Sequence, residues 1–385
     1  MNSTSRSLKR LLKSKISQSF FLLLLGLQGC IDPIAPEFDF QEDLVIIEAI
    51  ASTIPGTTYV NVKQTFLEFG QFKVRFISGC SVTMYNLDTQ EQITFTETES
   101  SYLVSEDFKV TPGSRWEMEV VLPNGKRYRS KAEKVPDEVP ITRIAENFTT
   151  ELIYEEAFDK YISGHQISID FQEPETEQNF YYYQYRAYQK EIYCKLCDRA
   201  VYRNGECLSQ VDNPQAKDYY TYLCDQTCWK VTYNEEVVLF DDEFTNGKPI
   251  TNLLVGRVPF YSNQDILVEV LQLNITQEAY KYYKTIKDIV DNNSGFNAPL
   301  PSALLGNFYN VEDAEDPILG RFTAAAGQSK SIFIKRGAIA SRIVDKYKPP
   351  QPELLGDPLP NPITYEAPCV ESRNQTAIQP LSWIE

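Results

Sequence analysis

Short stretches in which apolar and polar residues alternate recur along the chain, and prolines and glycines separate them. Residues 81–85 follow this two-residue period, and residues 116–121 repeat it before an Asn124-Gly125 pair, which suits a tight hairpin turn. The 24 Tyr and 21 Phe also favour strands over helices, and 22 Pro punctuate the runs. Together these features predict a mostly β fold.

The length of the chain and the placement of its prolines predict two β-rich domains. Residues 44–135 contain closely spaced strands typical of an immunoglobulin-like β-sandwich. The segment Pro-Asp-Glu-Val-Pro at residues 136–140 marks a boundary. We expect residues 136–346 to form a larger β-rich domain with a disulfide-stapled insertion, and residues 347–385 to be a proline-rich tail.

One amphipathic helix is expected near residues 276–291. Thr276 can cap its first turn, and Glu278 places negative charge where the helix dipole favours it. Apolar residues follow at helical spacing, and Asn292 and Gly295 mark the end. The apolar face is expected to pack against a sheet; a groove for a partner is the alternative.

The N-terminus has the features of a bacterial lipoprotein signal. Five basic residues precede an apolar run at residues 20–25, and the sequence Leu-Gln-Gly-Cys follows, ending at Cys30. The run is far shorter than the roughly 20 residues of a membrane-spanning helix, so residues 1–29 are expected to be a removable signal peptide. The thiol of Cys30 would then carry lipid. The alternative is an ordinary secretory signal in which Cys30 is incidental.

Residues 30–43 combine prolines and acidic residues without an apolar period, which predicts an acidic tether. Acidic residues directly after a lipidated cysteine resemble the signals that move Bacteroidota lipoproteins to the outer face of the outer membrane. We therefore expect a lipid-anchored protein of the outer membrane that faces the cell exterior. The formal net charge of −16 argues against nucleic acid as a partner.

The eight cysteines pose a choice between disulfides and a metal site. Paired Cys-x-x-Cys and Cys-x-x-x-Cys units could hold zinc, but an exported protein meets an oxidising compartment, which favours disulfides. The candidates are Cys194, Cys197, Cys207, Cys224, Cys228 and Cys369. If Cys30 carries lipid, seven cysteines remain, so at least one thiol is unpaired. Cys80, which is remote from the others, is the expected one.

Residues 180–188 form an aromatic strand with rings on both faces. Tyr181, Tyr183 and Tyr185, together with Trp229, could form a platform on which a sugar or peptide ligand stacks. The alternative is a sheet packed on one side, with its amphipathic rings at the rim.

No catalytic motif occurs in the sequence, and no cofactor is expected. There is no Gly-x-Ser-x-Gly elbow, no His-Glu-x-x-His and no phosphate-binding glycine loop. The single histidine, His165, is at the start of a strand and is expected to be structural. We therefore do not expect an enzyme, although the carboxylate pair of a glycosidase has no sequence signature and stays open.

Two acidic groups, at residues 241–243 and 312–316, could ligate calcium through their oxygen atoms. Neither has the spacing of a calcium-binding loop. Both are therefore expected to be solvated turns, and no metal is expected.

The chain resembles the Bacteroidota lipoprotein family known as domain of unknown function 4249, over essentially its whole length after the signal. The shared motifs occur in order: the signal with Cys30, a first strand at residues 42–48, Cys228-Trp229, Thr276-x-Glu-Ala-Tyr280, Gly306-Asn-x-Tyr309-Asn310-Val and Gly320-x-Phe322. The family tail usually has Cys-x-x-Cys, whereas Ser372 stands at the second position here. The local disulfide that this pattern implies cannot form.

Members of the family look like companions of TonB-dependent outer-membrane transporters. The resemblance implies a role at the cell surface beside a β-barrel transporter, in nutrient capture or uptake. We expect a binding or accessory protein. The alternative is a structural or assembly subunit of a barrel-folding or secretion complex that has no small ligand.

Overall fold

The structure is a computed structural model, and it describes residues 43–155, 159–175, 178–198, 200–203, 206–209, 220–291, 304, 306–313, 315–340, 369 and 371–384. It describes only the backbone of residues 72, 192–198, 200–203, 206–209 and 220–226. The predicted signal peptide, Cys30 and nearly all of the predicted tether lie outside the described residues.

The described residues contain 23 strands and one helix. The first ten strands are β1 (Val45–Ser52), β2 (Tyr59–Glu68), β3 (Gln71–Phe76), β4 (Ser81–Asn86), β5 (Gln92–Thr94), β6 (Thr96–Glu97), β7 (Tyr102–Leu103), β8 (Arg115–Val121), β9 (Arg127–Ser130) and β10 (Glu133–Lys134). Nine further strands follow before the helix: β11 (Ile141–Glu155), β12 (Lys160–Gln172), β13 (Phe180–Asp198), β14 (Ala200–Arg203), β15 (Glu206–Ser209), β16 (Tyr220–Tyr233), β17 (Val238–Asp241), β18 (Pro249–Pro259) and β19 (Ile266–Ile275). The chain continues with α1 (Gln277–Asp291), β20 (Phe308–Asn310), β21 (Ile318–Leu319), β22 (Phe322–Ile334) and β23 (Gln375–Thr376). The predicted mostly β fold with one helix is confirmed for this part of the chain.

The largest sheet among these elements has 12 strands, in the order β23-β16-β13-β19-β22-β1-β2-β7-β6, with β3, β17 and β21 paired off this path. β1 and β22 run parallel, with Ala49 opposite Phe322 and Ser52 opposite Ala325. Strands from both sides of the predicted boundary at residues 136–140 therefore share one sheet. Every described residue belongs to one compact unit. The division into two domains stays a prediction.

A second sheet, in the order β20-β9-β8-β4-β5 with β10 beside β8, packs over the N-terminal strands of the large sheet. Inward side chains of both sheets, including Val62, Met84 and Met118, share one core because alternate residues of a strand point to the same face. β8 and β9 form the predicted hairpin, and Gly125 in its turn has a φ of 90°.

A third sheet, β11-β12-β18, covers another part of the large sheet. Ile167 and Phe171 of β12 and Val258 of β18 pack against one face of β13 and β19, which lie side by side. That face is therefore closed to solvent, and only the opposite face of the same strands is available for a ligand.

The predicted helix is α1, and its start follows the capping pattern. The Thr276 hydroxyl accepts a hydrogen bond from the Ala279 backbone N–H at 3.3 Å. Ala279 and Tyr282 are buried, and the Tyr283 ring stacks on Tyr182 with centroids 4.5 Å apart, so the apolar face packs on the sheet as expected. Within the described ranges, no helix has both the length and the apolar character needed to cross a membrane.

Three backbone segments approach each other closely at the start of β22. A Cβ atom on Gly320 would collide with the carbonyl oxygen of Ile47 in β1, and a Cβ atom on Gly306 would collide with the carbonyl oxygen of Gly320. Gly320 also has a φ of 103°, which side-chain-bearing residues rarely adopt. Glycine at both positions therefore allows this packing.

A buried ion pair lies next to these glycines. Glu133 in β10 accepts hydrogen bonds from Arg321, from the Thr276 hydroxyl at 3.1 Å and from the Asn307 side-chain amide at 3.1 Å. The side chains of Glu133 and Arg321 are only 7% and 5% exposed. Burial raises the pKa of Glu133 and is opposed by Arg321. This carboxylate thus joins β10, the helix start and the segment that leads into β22.

Candidate ligand-binding groove

A groove of about 860 Å³ lies on the open face of the large sheet. Its floor consists of alternate residues on four neighbouring strands, because a two-residue period places them on one face. These floor residues are Gln184, Arg186 and Tyr188 of β13, Leu267, Glu269 and Leu271 of β19, Ser329 and Ser331 of β22, and Val231 and Tyr233 of β16. The intervening residues of β13 and β19 belong to the closed core on the other face.

Three segments form the two walls of the groove. One wall consists of residues 55–59 together with residues 103–107, and the other consists of residues 371–382. The second wall is held by the Cys228–Cys369 disulfide and by pairing of β23 with β16. Trp383 packs against Trp229 and Phe333, with ring centroids 6.2 and 5.1 Å apart. The C-terminal tail is thereby fixed beside the floor.

Arg373 connects the two walls. Its guanidinium lies 3.9 Å from the ring centroid of Tyr59 on one side and 4.4 Å from that of Tyr233 on the other. The Tyr233 hydroxyl donates a hydrogen bond to the Arg373 backbone carbonyl at 2.9 Å. The Arg373 Nε atom is buried and has no hydrogen-bond partner.

An ion pair between Arg186 and Glu269 crosses the floor. The Arg186 Nε donates to Glu269 Oε2 at 2.9 Å, and Tyr188 donates its hydroxyl to the same oxygen at 3.4 Å. Both charged side chains are largely buried, with 16% and 15% exposure. The floor therefore offers positive and negative hydrogen-bonding groups in a partly desolvated setting, which suits a polar or zwitterionic ligand.

The predicted aromatic platform is wrong, because its rings lie in the core. Tyr181 and Tyr183 are fully buried, and Tyr185 and Trp229 are each 5% exposed. The three tyrosines point to the face of β13 that the third sheet covers. The intervening residues of β13, Gln184, Arg186 and Tyr188, line the groove instead. The sequence pattern identified the right strand but the wrong face.

The cysteine predictions are partly resolved. Cys228 and Cys369 form a disulfide, so Cys369 joins the cluster as predicted. Among the described cysteines, Cys80 has a free thiol that is half-buried, and burial raises its pKa, which disfavours the reactive thiolate. The side chains of the other four candidates, Cys194, Cys197, Cys207 and Cys224, lie outside the described residues.

His165 is a satisfied core residue, as expected. Its Nδ1 lies 2.6 Å from Glu146 Oε1, and its Nε2 accepts a hydrogen bond from Arg336 at 3.1 Å. Arg336 can only donate, so Nδ1 carries the proton and donates to Glu146. Burial lowers the pKa of His165, which keeps the ring neutral. The fully buried ring faces Phe148 and Phe260 and does not reach the groove.

Comparison with known proteins gives one family match. The sequence profile of a family described as a domain of unknown function, DUF4249, matches residues 31–331, well over half of the chain. A search of curated proteins finds no match. The matched segment contains β1 to β21 and most of β22, and hence most of the groove floor and one of its walls. The chain therefore belongs to the DUF4249 family.

Proposed function

We propose that this protein is a surface-exposed outer-membrane lipoprotein of Bacteroidota that binds a small polar ligand as an accessory partner of a TonB-dependent transporter. The groove on the open face of the large sheet carries the proposal. It combines a volume of about 860 Å³ with a largely buried ion pair on its floor. These are features of small-molecule sites.

The N-terminal sequence supports the location. Lipid on Cys30 and an acidic tether at residues 30–43 would hold the β-rich unit close to the membrane. Attachment of two partners to one membrane raises their effective concentration, so a weak contact with the transporter suffices.

The structural or assembly role stays the second candidate, and one observation favours it. The hairpin of β2 and β3 exposes apolar side chains at its tip: Phe69 is 98% exposed, Val74 55% and Leu67 45%. Exposed apolar clusters of this kind mark protein contacts. A protein that uses only this surface would need no ligand in the groove.

The anchor is tested with Cys30→Ala in cells of a Bacteroidota host. We expect the wild type to fractionate with the outer membrane and to be digested by protease added to intact cells. Cys30→Ala should lose most of its membrane fraction because no thiol remains for lipid. The matched control is Cys80→Ala, which removes the half-buried free thiol and should stay attached. A Cys30→Ala protein that remains fully membrane-bound would refute the anchor.

The groove is tested with Ser329→Trp, which fills the floor from an exposed position. Wild-type protein is isolated from native outer membranes, and the small molecules released on denaturation are analysed by mass spectrometry. We expect Ser329→Trp to reduce their recovery tenfold or more, because the indole occupies the ligand's volume. Lys335→Trp, at an exposed position just past β22 and outside the groove, should leave recovery unchanged.

The same isolation separates the two functions. Co-purification of a TonB-dependent barrel supports the accessory role. Recovery of barrel-folding or secretion components, with identical small-molecule content in wild type and Ser329→Trp, would overturn ligand capture and favour the assembly role.

A further inference from the structure

The hairpin of β2 and β3 extends past the start of β1. β1 pairs with β2 as far as Val45 opposite Gln64, whereas β2 and β3 remain paired as far as Glu68 opposite Gln71. The difference is about four residues, or roughly 13 Å of strand. The end of the hairpin, residues 65–74 (the hairpin tip), therefore projects beyond β1.

One face of the hairpin tip and its turn are apolar. Thr65 lies opposite Val74, and Leu67 is two residues further along β2, so Leu67 and Val74 share a face. Their side chains are 45% and 55% exposed, and Phe69 in the turn is 98% exposed. Phe69 also has a φ of 51°, which residues with large side chains rarely adopt. The fold thus presents a large apolar ring to the outside at a position where packing gains nothing from it.

The opposite face of the hairpin is charged. Lys73 forms an ion pair with Glu68, and the guanidinium of the adjacent Arg75 lies 5.5 Å from the centroid of the Phe66 ring. Long basic side chains can reach lipid phosphates while neighbouring apolar groups enter the bilayer. Separate apolar and charged faces are typical of elements that lie in a membrane interface.

The hairpin tip is next to the point at which the tether meets the fold. The backbone N–H of Asp43 donates to the Thr65 carbonyl at 3.1 Å, and the Thr65 N–H donates to the Leu44 carbonyl at 3.0 Å. Residues 30–42 join Cys30 to Asp43, and even a fully extended chain of that length spans only about 45 Å. A lipid on Cys30 would therefore keep the hairpin tip near the bilayer.

We propose that the hairpin tip inserts into the lipid interface of the membrane to which Cys30 is anchored. The inference rests on the proposed anchor, because the anchor brings the tip to the bilayer. The lipid and the tip form two attachment points, so the β-rich unit keeps one orientation toward the membrane.

The size of the apolar surface favours lipid over a protein partner. The described apolar side chains of the tip are Leu67, Phe69 and Val74, which are too few for a stable protein interface that buries roughly 800 Å² on each partner. A few apolar side chains are enough for insertion into a bilayer interface when a covalent lipid supplies most of the affinity.

The test uses the full mature chain with Cys30→Ala, so that no lipid contributes, and vesicles of phosphatidylethanolamine and phosphatidylglycerol. In this chain, Phe69→Trp should add an emission that shifts to the blue with vesicles and is quenched by brominated lipid. The double variant Leu67→Ser/Phe69→Ser should partition into vesicles tenfold less or weaker still in a flotation assay, because the inserted apolar surface is lost.

Phe244 provides the matched control. It is 80% exposed and lies after β17, in a different part of the chain. Phe244→Trp should show neither the blue shift nor the quenching, and Phe244→Ser should partition like the parent chain.

Two results would overturn the insertion: a Phe69→Trp emission that does not respond even to millimolar lipid, or equal partitioning of the parent chain and the double variant. If the double variant with Cys30 restored also loses a co-purifying protein, the tip contacts that protein instead. The anchor is judged separately, from the mass of the N-terminal peptide of the wild type, which shows whether Cys30 carries acyl chains.

Discussion

Gly320→Ala is expected to lower the free energy of unfolding by about 4 kcal/mol or more, or to prevent folding altogether. The added Cβ would overlap the Ile47 carbonyl oxygen, which is backbone and cannot rotate away. The φ of 103° adds strain for any residue with a side chain. Because Gly320 leads into β22, relief of the overlap would separate β22 from β1. Urea unfolding followed by circular dichroism measures the loss.

Gly337→Ala is the matched control for this substitution. A Cβ atom on Gly337 would meet no atom within 4 Å, and the backbone there has no positive φ. We expect it to change the unfolding free energy by less than about 1 kcal/mol. If Gly320→Ala behaved like this control, the close approach of β1 and residue 320 would be incorrect.

Arg321→Met is expected to destabilise the protein by about 3–5 kcal/mol, because it leaves the buried carboxylate of Glu133 without its cation. Methionine keeps much of the arginine stem volume, so lost charge dominates over lost packing. The double variant Glu133→Gln/Arg321→Met removes both charges and should recover most of the stability. The unfolding free energies of the wild type, Arg321→Met, Glu133→Gln and the double variant complete a double-mutant cycle.

An exposed ion pair provides the control. Arg115 binds Asp88 with side chains 57% and 38% exposed, and Arg115→Met should lower the free energy of unfolding by less than about 1 kcal/mol.

The loss of unfolding free energy in Arg321→Met should shrink as pH falls. Burial raises the pKa of Glu133, and removal of Arg321 raises it further, so protonation at low pH relieves the unpaired charge. A loss that does not change with pH would mean that packing, not charge, explains the effect.

Local patterns were sufficient for elements whose determinants are close in sequence. The Thr276 cap and the apolar spacing after it predicted α1, and the Asn124-Gly125 turn predicted the hairpin of β8 and β9. Cys369 was correctly joined to the other cysteines, although its partner, Cys228, could not be chosen from spacing. For α1 and for the hairpin, a short-range physical rule decides the structure.

Features that depend on residues distant in sequence could not be predicted from local patterns. Tyr181 and Arg186 lie on opposite faces of β13, and the sequence places aromatic rings on both faces. Only the position of the third sheet determines which face is closed to solvent. Asp242 belongs to the predicted solvated turn at residues 241–243, but it is only 1% exposed in the folded structure, so that prediction is wrong at this residue. The Gly306 and Gly320 motifs were visible in sequence, but their cause is the close approach of Gly320 to the Ile47 backbone and of Gly306 to the Gly320 backbone.

The parallel pairing of β1 with β22 affects how such a chain can reach its native state. Thr53 and Gly327 are hydrogen-bonded although 274 positions separate them. A polypeptide that leaves a translocation channel N-terminus first exposes β1 long before its partner emerges. Contacts of such large sequence separation form slowly, and an open strand edge promotes aggregation. A chain that emerges in this way would depend on chaperones until its last segments arrive, so the large sheet would close only when the whole chain is free.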